Sequence, residues 1–171
     1  MTPATYSAAE QLRDGRPIEI RALRPSDEAG MLDAINHTNA ESLRRRFFVT
    51  KRAFSEKEKS FFMNIDFADH VALVAELDED DRRQIIGGGR YVVSQPGKAE
   101  VAFVVTDTYQ GQGIGTLLTR HLAVIARSAG LRELTAEVLP ENAPMQKVLR
   151  KCGFEARRGT DPQVVHYALA L

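Results

Sequence analysis

The 171-residue chain is 43% hydrophobic and 27% charged, an ordinary composition for one globular domain long enough to bury a core. Lys plus Arg and Asp plus Glu each number 23, which excludes a global pull towards nucleic acid or an anionic membrane and requires any anion site to be local. The single cysteine, Cys152, excludes an intrachain disulfide and a multi-thiolate zinc site.

Residues 1–6 have neither the basic n-region nor the apolar h-region of a signal peptide, and no apolar run approaches the roughly 18 residues of a membrane span. A cytoplasmic location is expected. Residues 1–16 read as an N-terminal extension, with Ser7 and Glu10 as a capping box for a short helix that Gly15 ends. Residues 17–171 read as one domain. Ile18, Ile20 and Ala22 alternate with Glu19 and Arg21 and predict a first strand. Pro25 to Glu28 start a helix through Met31, Leu32 and Ile35. A second helix is expected around Leu43 to Phe48, and a third, opened by Ser55 and Glu58, carries Phe61, Phe62 and Ile65.

The pattern then turns to strands: Val71 to Leu77, Gln84 to Val93 as its hairpin partner, and Glu100 to Val105. Gly87-Gly88-Gly89 inside the second of these predicts a bulge or a close backbone approach. Leu117, Leu118, Leu122, Ile125 and Ala129 mark one face of a helix that Gly130 ends. A strand over Leu134 to Val138, a helix over Ala143 to Lys151, and strands over Phe154 to Arg157 and Val164 to Ala170 close the chain. The fold class is α/β (α+β): a mixed, mostly antiparallel central sheet of about seven strands with helices on both faces.

Chemistry concentrates where the strand Glu100 to Val105 feeds Gln110-Gly111-Gln112-Gly113-Ile114-Gly115-Thr116 and then an amphipathic helix. Alternating glycines let the backbone turn tightly and approach a ligand closely. The N–H groups of a helix N-terminus favour an anion there, so the segment suits a pyrophosphate. Two familiar nucleotide loops fit poorly. The spacing is Gly-x-Gly-x-Gly rather than Gly-x-Gly-x-x-Gly, and the Lys-Ser/Thr pair of a phosphate-binding P-loop is missing.

Gln110-x-x-Gly113-x-Gly115 after a strand resembles the signature of the GNAT superfamily of N-acetyltransferases. Asn142, followed by Lys151-Cys152-Gly153-Phe154, is similar to the segment that ends the same fold. The resemblance implies acetyl-CoA as co-substrate. Backbone groups of Phe103, Val104 and Val105 would pair with its pantetheine arm. Gln110, Gly111, Gln112, Gly113, Ile114, Gly115 and Thr116 would hold its pyrophosphate, and Asn142 would contact the arm from the other side. The tyrosine that many members place seven residues after the asparagine is Leu149 here, so the general acid stays unassigned.

Ile20 to Asp27, Ser42 to Phe48 and Glu100 to Phe103 further resemble the acetyltransferase domain of bacterial protein lysine acetyltransferases. That likeness implies an amine acceptor on a protein, a lysine of an acyl-CoA synthetase. The balanced charge makes a nucleic acid or membrane partner unexpected, and a monomer or homodimer is expected. A small amine, or a coenzyme A-binding module without turnover, are the competing readings. Glu100 is the candidate general base and Glu137 the weaker one. Arg44, Arg45 and Arg46 read as a solvated helix face. His37, His70, His121 and His166 lack mutual metal-ligand spacing and read as structural, so no metal is expected. Cys152 reads as a small buried side chain rather than a nucleophile.

Overall fold

A computed structural model of the chain describes residues 2–36, 63–79, 82–159 and 161–171. One sheet of eight strands runs through them, in the spatial order β1-β2-β3-β4-β5-β6-β8-β7. The strands are β1 Ser7–Gln11, β2 Pro17–Ala22, β3 His70–Glu79, β4 Arg82–Gln95, β5 Lys98–Val105, β6 Glu133–Val138, β7 Glu155–Arg157 and β8 Val165–Ala170. Every neighbouring pair is antiparallel except β5 and β6. The described helices are α1 Glu28–Asn36, α2 Ile114–Ser128 and α3 Ala143–Lys151.

Strand alternation sorts the side chains into two cores. On one face Ile20, Leu73, Tyr91, Val101, Phe103 and Leu134 pack with Leu118 and Leu122 of α2 and Leu149 of α3. On the other, Ala72, Val74 and Ile85 pack with Met31 and Ala34 of α1. The triple glycine serves both. A Cβ at Gly89 would lie 2.8 Å from the Phe103 ring, and one at Gly87 would lie 3.1 Å from Ile114. At Gly88, on the opposite face, it would lie 3.3 Å from Met31. A register shift between Ala75 and Glu76 puts a bulge beside this run, so both expected features are present.

The α1 face also carries a buried ion-pair cluster. Arg21 Nη1 and Nη2 donate to Asp27 Oδ2 and Oδ1 at 2.8 and 2.9 Å, and Nη2 donates to Glu76 Oε2 at 2.9 Å. Burial pushes the Asp27 and Glu76 carboxyls up, but the Arg21 hydrogen bonds more than offset this and hold both below their ordinary range.

Two expectations need correction. Residues 7–11 form β1, paired with β2, rather than a helix, which makes eight strands instead of seven. Ser7 and Glu10 are engaged across space, Ser7 Oγ with Glu19 and Glu10 Oε1 with His121 Nε2, so no capping box forms. A helix that short is marginal by itself, whereas pairing on β2 satisfies the backbone at once. Gly15 keeps its left-handed φ of +91°, used in the β1–β2 turn. The helix around Leu43 to Phe48, the tract Arg44 to Arg46, His37, and the helix begun at Ser55 lie outside the described residues. Ile65 packs against the smaller core.

Candidate active site

β5 and β6 pair over only three positions, Lys98↔Glu133, Ala99↔Leu134 and Glu100↔Thr135. β5 continues to Val105 bonded to β4, and β6 continues to Val138 bonded to β8. Beyond Glu100 the facing edges have therefore parted, while each strand keeps its neighbour on the outer side. Backbone N–H and C=O groups on such edges have no ladder partner, and an extended ligand can meet them as an added strand does.

The fork opens into a cleft of about 340 Å³. Glu100 stands at its closed end, on the face of β5 shared by Ala102 and Val104. Phe103, Val104, Val105, Gln110, Gly111, Gly113, Gly115, Thr116 and Asn142 all line it, so one cavity gathers residues of β5, the glycine loop, α2 and α3. Glu137 lines it from β6, but its Oε1 also lies 3.6 Å from His166 Nδ1 on β8. Phe103 lines the cleft and is at the same time buried in the main core.

Local conformation explains why glycines stand in the loop. Gly111 and Gly113 have φ of +81° and +88°, the left-handed region that side-chain-bearing residues avoid. Gly113 is the N-cap of α2 and supplies no capping side chain, so no side chain satisfies the first-turn N–H groups from that position. Gly115 differs. A Cβ there would meet only Val148, at an ordinary 3.6 Å. The fold does not demand glycine at 115, and its missing side chain leaves the cleft open along α2.

Two loop residues of the expected set, Gln112 and Ile114, keep their side chains off the cleft wall, which leaves a role for their backbone amides. The Ile114 side chain is buried in the main core, and the Gln112 carbonyl accepts from the Arg13 amide at 3.3 Å. The Val105 carbonyl is already engaged by Gln110 Nε2 at 3.2 Å, which ties the loop to the end of β5. Asn142 is buried, and its Oδ1 accepts from the Met145 amide at 3.2 Å, capping α3.

Three cations on the wall are not among the site residues expected from the sequence: Arg13 from the β1–β2 turn, and Lys147 and Lys151 from α3. The lysines carry a legible signal, an i, i+4 pair on the helix that Asn142 opens. Arg13 carries none. Together they supply the local positive charge that a chain of zero net charge needs for an anion. The fit to acetyl-CoA is thus good in each part: a parted strand edge for the arm, an uncapped helix start and left-handed glycines for the pyrophosphate, and cations around them.

The described residues lining the cleft include no tyrosine. Leu149 lies at its wall with no exposed surface. Cys152 is half-buried, and burial pushes its thiol up, away from thiolate reactivity. His121 contacts Tyr6 Oη and Glu10, and His70 Nε2 accepts from Arg90 Nη1 at 3.0 Å. Among the described residues no three His, Cys, Asp or Glu side chains converge as a metal site, and no helix is long and apolar enough to cross a membrane.

Residues 37–154 match the model of the Acetyltransferase (GNAT) family. An acetyltransferase of Pseudomonas aeruginosa is 32% identical over 160 residues, covering 92% of this chain and 86% of that protein. The acetyltransferase Pat of Mycolicibacterium smegmatis is 32% identical over 145 residues, 84% of this chain, which spans only 43% of Pat. The crystal structure of the GNAT domain of S. lividans PAT superposes with a TM-score of 0.90 at 32% identity, covering 96% of this chain and 97% of that one.

Proposed function

Since the chain belongs to the acetyltransferase (GNAT) family, we propose that it passes the acetyl group of acetyl-CoA to a protein lysine by direct attack in a ternary complex, with Glu100 receiving the amine's proton. Acetyl-CoA, the donor this family uses, supplies an acetyl group activated as a thioester. The observation that carries the reading is the fork: parallel pairing stops at Glu100, so a carboxylate stands where the cleft closes.

Each residue has a part that follows from its chemistry. Amides of Gly111, Gly113 and the first turn of α2 meet the pyrophosphate. The parted edge of Val101 to Val105 aligns the arm, and Asn142 bounds it opposite. A lysine acceptor arrives mostly as ammonium, its ordinary pKa being about 10.4, and must lose a proton before its lone pair can attack. Glu100 takes that proton. Among the described residues no tyrosine lines the cleft to protonate the departing thiolate, which is a fair leaving group, and the general acid stays unassigned.

A protein acceptor is supported by the likeness of Ile20 to Asp27 and Glu100 to Phe103 to protein lysine acetyltransferases, and by the 32% identity to Pat and to the S. lividans PAT domain. A lysine of an acyl-CoA synthetase is the acceptor to try first. Glu100→Gln keeps the shape and removes the base, so turnover should fall on the order of 10²–10⁴-fold with acetyl-CoA affinity unchanged. Normal turnover in Glu100→Gln together with a dead Glu137→Gln would move the base to β6.

A further inference from the structure

The turn between β1 and β2 makes two hydrogen bonds to the glycine loop and one ring contact just before it. Arg13 Nη1 donates to the Gly111 carbonyl at 3.0 Å, and the Arg13 amide donates to the Gln112 carbonyl at 3.3 Å. The Arg16 guanidinium lies 5.3 Å from the centre of the Tyr109 ring, just before the loop. The turn itself is held by Leu12, buried in the main core, whose amide bonds the Arg16 carbonyl at 2.9 Å and whose carbonyl accepts from the Gly15 amide at 2.9 Å. A guanidinium carries five N–H donors in a planar fork suited to phosphate oxygens. Among the described residues one of these goes to Gly111, and the Arg13 side chain borders the cleft beside Gly111 and Gly113.

We propose that the β1–β2 turn is part of the coenzyme site and that Arg13 is a recognition residue for the pyrophosphate. Two features support this. The Arg13 side chain and amide hold the Gly111 and Gln112 carbonyls, which ties the loop's backbone to the β1–β2 turn. The loop is thereby fixed in one presentation before any ligand arrives, which removes an ordering cost from binding. The charge is the second feature. Arg13 is brought to the loop from 98 residues away in sequence, next to glycines that place no side chain between it and an anion. The pyrophosphate is favoured over the 3′-phosphate because Arg13 touches the loop that receives the former, while Lys147 and Lys151 stand on α3.

This inference rests on the acetyl-CoA reading above, and the test separates the two. Dissociation constants are measured for the wild type, Arg13→Ala and Arg13→Lys with acetyl-CoA, its 3′-dephospho form and acetyl-pantetheine, the last by NMR titration. Arg13→Ala should weaken the first two about ten- to a hundredfold, the range of a charge-assisted hydrogen bond, and leave acetyl-pantetheine unchanged. The salt dependence of acetyl-CoA binding should become shallower in Arg13→Ala and persist in Arg13→Lys. Unchanged affinity for acetyl-CoA in Arg13→Ala, equal losses for all three ligands, or a loss confined to the ligand bearing the 3′-phosphate would each overturn the assignment. A wild type that binds none of the three would remove the acetyl-CoA reading and this inference with it.

Discussion

Gly113 combines a left-handed φ with the N-cap of α2, so a glutamate there adds backbone strain and a negative charge at the start of the helix. A like charge about 4 Å from a phosphate costs several kcal/mol near a protein surface, so Gly113→Glu should weaken acetyl-CoA binding about a hundredfold or more by calorimetry. Equal affinity would remove the phosphate role from the loop. Leu149 tests the other end of the reaction. It is fully buried against the cleft, so Leu149→Tyr can place a hydroxyl at the wall only by crowding the core. Turnover of that variant should not rise, and a gain of about tenfold or more would mean that protonation of the leaving group limits the rate. That Glu100, Gly111, Gly113, Gly115 and Asn142 meet around one cleft was legible, the glycines through their spacing and Asn142 through the family resemblance. Arg13 was not. Its place depends on a hairpin that folds back across most of the chain, and nothing local to residues 12–16 records that contact.

β5 and β6 were legible through alternation of buried with less buried residues, whereas β3 and β4, buried on both faces over most of their length, were marked by apolar residues between turn signals. β1 carries neither mark. None of its five residues is buried, and Ser7 and Glu10 happen to sit at capping-box spacing, so the helical reading had nothing to oppose it. The parallel pair β5–β6 has a further property that no strand pattern encodes, the point at which it parts. That point depends on register, and register is set by side chains meeting across strands. The triple glycine was legible as a close approach, and the structure names what approaches. Gly89→Ala would drive a methyl into the Phe103 ring at 2.8 Å, on the strand that lines the cleft. Stability should fall by about 1–3 kcal/mol in denaturant titration through overpacking, with acetyl-CoA affinity falling alongside. Gly130→Ala, where a Cβ meets nothing within 4 Å but φ is +83°, should cost stability through backbone strain and leave affinity intact.

At the level of the whole molecule, burial and the neighbouring Arg90 charge push the His70 imidazole down to about 4, and Arg90 is itself lowered by burial to about 10. His70 is therefore neutral when folded, and Nε2 accepts from Arg90. Above pH 6.5 both folded and unfolded chains carry it uncharged; between 6.5 and about 4 the unfolded chain alone takes up the proton, so stability is lost as pH falls through that window. The lowered Asp27 and Glu76 carboxyls act in the same direction further down, their contribution present above the ordinary carboxylate range and lost as acid protonates them. Thermal unfolding across a pH series should show both limbs, and His70→Gln should flatten the upper one. In the proposed reaction the fork carries acetyl from acetyl-CoA to a lysine on a protein. Incubating the full chain with labelled acetyl-CoA, an acyl-CoA synthetase from the same cell and a panel of polyamines, amino acids and aminoglycosides tests it directly. The label should appear on a synthetase lysine and disappear with Glu100→Gln; label on the small amines alone, with the synthetase bare, would contradict it.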